Sequence, residues 1–170
     1  MRLFGKSLGE YFEFQKVILG FVLLVGVARL ALSLGGAPVA TVKWLSLTVA
    51  SLIGLILYGV RAHTRGFGSY KQLLPLSAIQ GFATQALSAL AVAVAIITAT
   101  DNIFSLPEYS GGSDGKVWFH AGAHLFIAFP IVSLFGWGIS SLALLITRKV
   151  APRTTEAPAP PKSMGKAAGA

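Results

Sequence analysis

Arg29 is a lone charge inside an otherwise apolar run, Val17 to Leu34. A guanidinium in such a setting needs an anion, a water path or a partner side chain, so a charge within a span marks a functional position by default. At 1.5 Å per residue, Arg29 lies ~18 Å along the run. That is ~12 Å below the far boundary of a ~30 Å hydrocarbon core. Three roles are open. Its long stem lets it snorkel to the interface. It can pair with a loop carboxylate, and Asp101 is the nearest by position. It can hold the anionic part of a ligand.

A second group of polar residues recurs at helical steps. Ser77, Gln80, Gly81, Thr84, Ser88, Ala91 and Ala95 share one face of a helix. Small residues let backbones approach closely, and Gln, Ser and Thr hydrogen-bond across helices. The face therefore reads either as a packing seam or as the polar lining of a solute, water or quinone site. Gln80 and Gln85 would be its most informative members. Both are placed toward the inner half, with Gln85 off the main stripe.

The third group is WFHAGAHLF, with His120 and His124 four residues apart on one helix face. Such a pair can chelate one divalent metal, and Glu108 and Asp114 of the preceding loop would complete the shell. HExxH is absent, so the zinc-protease motif is not present. Neighbouring turns of one helix cannot sandwich a haem, and His63 lies in another loop. The chain therefore does not read as an intramolecular bis-His haem protein. The alternative for both histidines is interfacial hydrogen bonding.

Other chemistry is missing. The sequence has no Cys, which excludes disulfides, thiolate metal sites and thiol catalysis. It has no GxSxG or SxxK, and no Asp or Glu within any apolar run. These absences count against an enzyme and against proton-coupled carriage by intramembrane carboxylates. The loop RAHTRGFGSYKQLLP lacks a phosphate-cradling P-loop pattern. Its Arg61, Arg65 and Lys71 fit a solvated basic loop or contact with anionic lipid headgroups.

The elements that must position these residues are four apolar runs, about 17–34, 44–60, 76–100 and 121–147. Each approaches the ~20 residues needed to cross a bilayer. Of 170 residues, 54% are hydrophobic and 12% charged, against about 25% charged in ordinary soluble domains. The mean hydropathy is +0.71. The expected fold is an all-α, polytopic bundle of four transmembrane helices, embedded in the lipid bilayer. The first run exceeds the usual 7–15 residues of a signal h-region, so it reads as a retained span. Pro130 should kink the fourth.

Formal net charge is +8, but the basic residues flank the runs and show no nucleic-acid motif. Eleven Lys and Arg fall in the two terminal segments and the middle loop, against Lys43 and Lys116 in the other two loops. The positive-inside rule then gives N-in, C-in topology. The expected location is a plasma membrane, read as a bacterial inner membrane.

Residues 1–15 form an amphipathic N-terminal segment, either an interfacial helix or an extension of the first span. Ser7 and Glu10 have capping-box spacing, which would start a helix at residue 8. The transmembrane domain covers 16–150. The Pro/Ala-rich tail, 151–170, reads as disordered. The leading functional reading is an accessory or structural subunit working through helix–helix contacts, with other membrane subunits or copies of itself as partners. The alternatives are a small-solute binding or transport protein using Arg29 and the polar face of span three, or a metal or redox-linked site at His120 and His124.

Overall fold

The computed structural model describes residues 2–110, 112 and 114–151. The tail beyond Ala151, expected to be disordered, lies outside the described residues. Four helical stretches are long and apolar enough to cross a membrane: Leu8–Leu34, Val39–Thr64, Tyr70–Thr98 and Trp118–Val150. The first is one helix, α1 (Leu8–Leu34). The second is a short turn, α2 (Val39–Val42), followed by α3 (Leu47–Thr64). The third is α4 (Tyr70–Thr98). The fourth joins α5 (Trp118–Ala123) to α6 (Phe129–Val150) through a π-helical turn, His124–Ala128.

Local chemistry sets the helix starts. Ser7 accepts from the Glu10 N–H at 3.3 Å and the Ser7 N–H donates to the Glu10 carboxylate at 2.8 Å, so α1 begins at Leu8. The helix then runs unbroken into the first apolar run. The separate interfacial helix is thereby replaced by an extension of α1. Before it, Arg2–Leu3 and Lys6–Ser7 form a small antiparallel hairpin (β1, β2), a departure from a purely helical chain. Phe4 and Gly5 turn it with φ of 49° and 85°, the sign that a tight hairpin turn requires. Ser69 and Gln72 cap α4 in the same reciprocal way, starting it six residues before Leu76, where the apolar run begins. Pro75 therefore falls early in α4 rather than ahead of it.

The helices run alternately up and down. α6 packs against both α3 and α4, and α1 packs against the same pair from another side. One end, here the basic end, gathers the start of α1 and α4 and the ends of α3 and α6. There Gln72 donates to the Phe4 carbonyl at 2.8 Å and His63 Nε2 bonds the Ala151 carbonyl at 2.6 Å. The Arg148 guanidinium lies 5.0 Å from the Tyr70 ring centre. At the other end, the loop end, the connection after α4 folds back into the bundle. Ile103 and Phe104 join Val22, Leu47, Ala91 and Val92 in a buried apolar cluster.

The small residues of α4 are used inside this bundle. A Cβ on Gly81 would fall 2.7 Å from Ser133 Oγ of α6, and one on Gly136 would lie 3.4 Å from Ser77 Cβ. The face holding Ser77, Gln80, Gly81, Thr84, Ser88, Ala91 and Ala95 is buried. Around Ser77 and Gly81 it is a packing seam of the chain itself, while Thr84 and Ser88 also border a cavity.

Candidate functional site

A cavity of about 270 Å³ lies toward the loop end, between α1, α3, α4, the fold-back loop and the start of the fourth stretch. Arg29 enters from α1, Thr48 and Ser51 from α3, and Thr84, Gln85 and Ser88 from α4. His124 comes from the π turn, and Phe104 and Tyr109 come from the loop. Leu47, Ile103 and Val132 supply apolar wall.

Arg29 retains only 9% of its exposure. Its guanidinium carbon lies 5.3 Å from the Phe104 ring centre and 5.4 Å from that of Tyr109. Both rings sit at cation–π distance, which softens the cost of burial. Nε has no hydrogen-bond partner among the described residues. The expected pairing with Asp101 is not made. Asp101 binds Lys116 at 2.5 Å instead, and Lys116 also lies 3.9 Å from Asp114. The reason is local: the two ends of one loop carry both charges and meet in water, where no desolvation is required. The hydrogen bond to Asp101 raises the Lys116 pKa above its ordinary value.

This geometry gives an expected result. Arg29→Leu and Asp101→Asn should be additive in thermal stability, because they share no contact. A double-mutant cycle with a coupling above about 0.5 kcal/mol would show that the two charges do meet.

The α4 polar groups have their protons committed. Thr84 Oγ1 donates to the Gln80 and Gly81 carbonyls, each at 3.0 Å, and Ser88 Oγ donates to the Thr84 carbonyl at 3.1 Å. Gln80 lies one turn deeper. It donates through Nε2 to the Ser51 carbonyl at 3.0 Å, while its Oε1 is buried without a partner. Gln85, expected in the inner half and off the main stripe, lies outside the buried face of α4 and reaches the cavity. Its Oε1 lies 2.6 Å from His124 Nδ1. An amide oxygen only accepts, so Nδ1 carries the proton.

The two histidines divide. His120 Nδ1 bonds the Gly115 carbonyl at 2.9 Å, the interfacial role. His124 turns into the cavity rather than toward water. Their ring centres are 5.0 Å apart. The metal shell expected around them is not assembled. Among the described residues no group of three or more His, Asp or Glu is placed to hold a metal ion. Asp114 caps the Lys116 N–H at 2.9 Å, and Glu108 stands exposed on the 3-10 turn Pro107–Tyr109. Asp101 and Asp114 are thus committed within the loop.

The π turn accounts for the position of His124. Pro130 has no N–H for the Phe126 carbonyl and crowds it. The ladder yields by one residue, and the Phe129 N–H donates to the His124 carbonyl five residues back.

The fold-back loop is held from both sides. Asn102 Nδ2 donates to the Ala91 carbonyl at 2.7 Å, Asn102 Oδ1 accepts from the Phe104 N–H at 2.9 Å, and the Ile103 N–H donates to Ser33 Oγ at 2.8 Å. Phe104, Tyr109, Thr48 and Ser51 were not singled out in the sequence. Thr48 and Ser51 are three residues apart on one helix and carry a detectable signal. Phe104 and Tyr109 reach Arg29 only through a fold-back that no local pattern announces.

Compared with known proteins, the chain matches no family model, no curated protein and no solved structure. The site therefore rests on its own geometry.

Proposed function

We propose that this chain is a multi-pass membrane protein that binds a small anionic solute in the cavity at its loop end. The observation that carries the reading is Arg29. It is nine-tenths buried on a cavity wall, its Nε is unpartnered, and the residues around the cavity include no Asp or Glu. A buried cation without an anion is costly, so a bound anion at this position is strongly favoured. The basic end belongs in the cytoplasm by the positive-inside rule, which opens the cavity to the exterior. Trp44, Trp118 and Phe119 are exposed near the loop end, as an interfacial aromatic belt requires. The accessory-subunit reading relied on the small-residue face of α4, and that face is consumed within the bundle.

The test is thermal stabilisation of the detergent-purified protein by phenylacetate, chloride and phosphate. A ligand at 100 times its Kd adds about 2.7 kcal/mol to the folded state. At least one anion should raise Tm, and Arg29→Gln should weaken its binding about 10- to 100-fold, the worth of a charged hydrogen bond. Lys43→Gln removes an exposed cation outside the cavity lining and should change nothing. If no anion stabilises the wild type, or Arg29→Gln binds as well as wild type, the reading is wrong.

A further inference from the structure

Buried side-chain atoms that lack a hydrogen-bond partner among the described residues are not scattered. Apart from Ser141 on α6, they belong to six residues of α1, α3 and α4: Gln15 and Arg29, Tyr58 and Arg61, Ser77 and Gln80. These are the helices that also bring Arg29, Ser51 and Thr84 to the cavity. Seven residues advance an α-helix by about 700°, so positions seven apart point within about 20° of each other. Ser51 and Tyr58 are seven apart, as are Ser77 and Thr84, and Gln15 and Arg29 are fourteen apart. Each helix therefore repeats, nearer the basic end, the polar face that it shows to the cavity.

The contacts place these residues in order. Gln80 sits beneath the cavity, with its Nε2 on the Ser51 carbonyl. A Cβ on Gly54 would fall 2.8 Å from Gln80 Oε1 and 3.0 Å from Ile18 Cγ2, so α1, α3 and α4 meet at that level. One turn nearer the basic end come Tyr58 after Gly54, Gln15 before Ile18 and Ser77 before Gln80. All three are buried. Arg61 follows one turn further along α3, its guanidinium carbon 5.2 Å from the Phe14 ring centre. The line thus runs from one guanidinium, Arg29, to another, Arg61. No Asp or Glu occurs in 15–29, 47–61 or 77–88.

The chemistry suits an anion in passage. A buried polar atom without a partner is costly, and native folds keep few of them. A phenyl ring or a methyl group would pack in place of Tyr58 or Ser77 without that cost. Neutral hydroxyls and amides offer protons to an anion but hold it less tightly than a further guanidinium would. Favourable entry with weak retention is what conduction requires. The line is shut at Gly54, where the three helices touch, so an anion leaving the cavity in this direction must part them there.

We infer that Gln15, Tyr58, Ser77 and Gln80 form a transit path by which the anion held at Arg29 passes through the bundle to Arg61, so that the chain transports its ligand. This rests on the anion-binding reading above and specifies the activity of that site.

The test is uptake of labelled chloride, phosphate and benzenesulfonate into proteoliposomes of the full-length protein. Benzenesulfonate stands in for phenylacetate because a sulfonate stays ionised and does not leak across the bilayer as a neutral acid. At least one of the three should enter saturably, above the leak of protein-free liposomes. Tyr58→Phe and Ser77→Ala each remove one hydroxyl and should slow uptake about three- to tenfold, the scale of one hydrogen bond to the passing anion. Neither should lower Tm, since each deletes an unpartnered atom, and anion binding should stay within about threefold of wild type. Ser141→Ala removes an unpartnered hydroxyl outside the line and should leave uptake unchanged.

An anion that stabilises the protein in detergent while none of the three enters the liposomes would overturn the transit path and leave the anion site standing. So would wild-type uptake in both Tyr58→Phe and Ser77→Ala, or equal slowing by Ser141→Ala. A fall in Tm in both variants would also overturn it, by assigning the two hydroxyls to structural hydrogen bonds. If no anion binds, phenylacetate included, the anion site itself falls, and the inference with it.

Discussion

Gly59→Ala is expected to destabilise the bundle by about 1–3 kcal/mol, the usual cost of forcing a methyl group into a filled core. Gly59 lies on α3 where it crosses α6. A Cβ there would press on the Ser140 carbonyl oxygen, 2.7 Å from Ala143 Cβ and 2.8 Å from the Leu144 nitrogen. Two of these atoms belong to the α6 backbone, which cannot rotate away as a side chain would. The helices would have to separate. Separation would also stretch the 2.8 Å bond from Ser140 Oγ to the Leu55 carbonyl. The measurement is a thermal melt in mild detergent, with size exclusion to detect aggregation. Gly59→Leu should fail to give a monodisperse species. Gly20→Ala and Gly138→Ala are the controls, since nothing lies within 4 Å of either added Cβ. They should hold or gain about 0.5–1 kcal/mol from helix propensity. Equal melting of Gly59→Ala and wild type would mean that α3 and α6 cross further apart.

The second large effect is expected at Asn102. It is 1% exposed, and its side chain serves two backbone groups at once, the Ala91 carbonyl and the Phe104 N–H. Its own N–H donates to Ser105 Oγ at 3.0 Å. Asn102→Ala removes two hydrogen bonds and leaves the Phe104 N–H unsatisfied in a buried loop. A buried unsatisfied group costs about 1–3 kcal/mol, and the lost bonds add to that. The fold-back should detach locally while the four long helices persist. Hydrogen exchange should accelerate by at least tenfold over residues 102–110 and little within α3 and α6. Anion binding should weaken in parallel, because Ile103, Phe104 and Tyr109 form one wall of the cavity. Unchanged exchange in this loop would show that Asn102 is not its anchor.

Much of the architecture was legible in the amino-acid order. Four uncharged or nearly uncharged runs of membrane-crossing length announce four helices, and Ser7 with Glu10 announces the start of the first. The ends were read short. Glu10, Glu13 and Lys16 look like flanking residues, although the first turns of α1 carry them on exposed positions. Arg29, Thr84, Gln85 and Ser88 were identifiable because polar residues stand out against an apolar background. Their convergence on one cavity was not, because it depends on how α1 and α4 rotate against each other. The Asp101 pairing failed for a related reason. Position along the chain brought Asp101 near Arg29, but Lys116 reaches the same carboxylate from within the loop. The carboxylates expected beside the histidines are not gathered there among the described residues, because spacing along a helix says nothing about where loop carboxylates turn.

The π turn at His124–Ala128 has a consequence for angular phase. In a regular α-helix each residue advances by about 100°. Nine residues separate His124 from Ser133, which in an unbroken helix would put them about half a turn apart. Ser133 faces α4, so His124 would then point away from the bundle. The one extra residue absorbed by the π turn removes about 100° from that offset and swings His124 inward. The chain thus keeps its α6 seam and its cavity histidine only by carrying one residue more than the helix needs. Deleting a single residue between Leu125 and Ala128 would let the turn close as a regular α-helix and keep the two faces in step, because eight residues leave an offset of about 80°. Regularising the turn at constant length, which Pro130→Ala would permit, would put them out of step, and the site would be lost by rotation alone with its lining side chains still present.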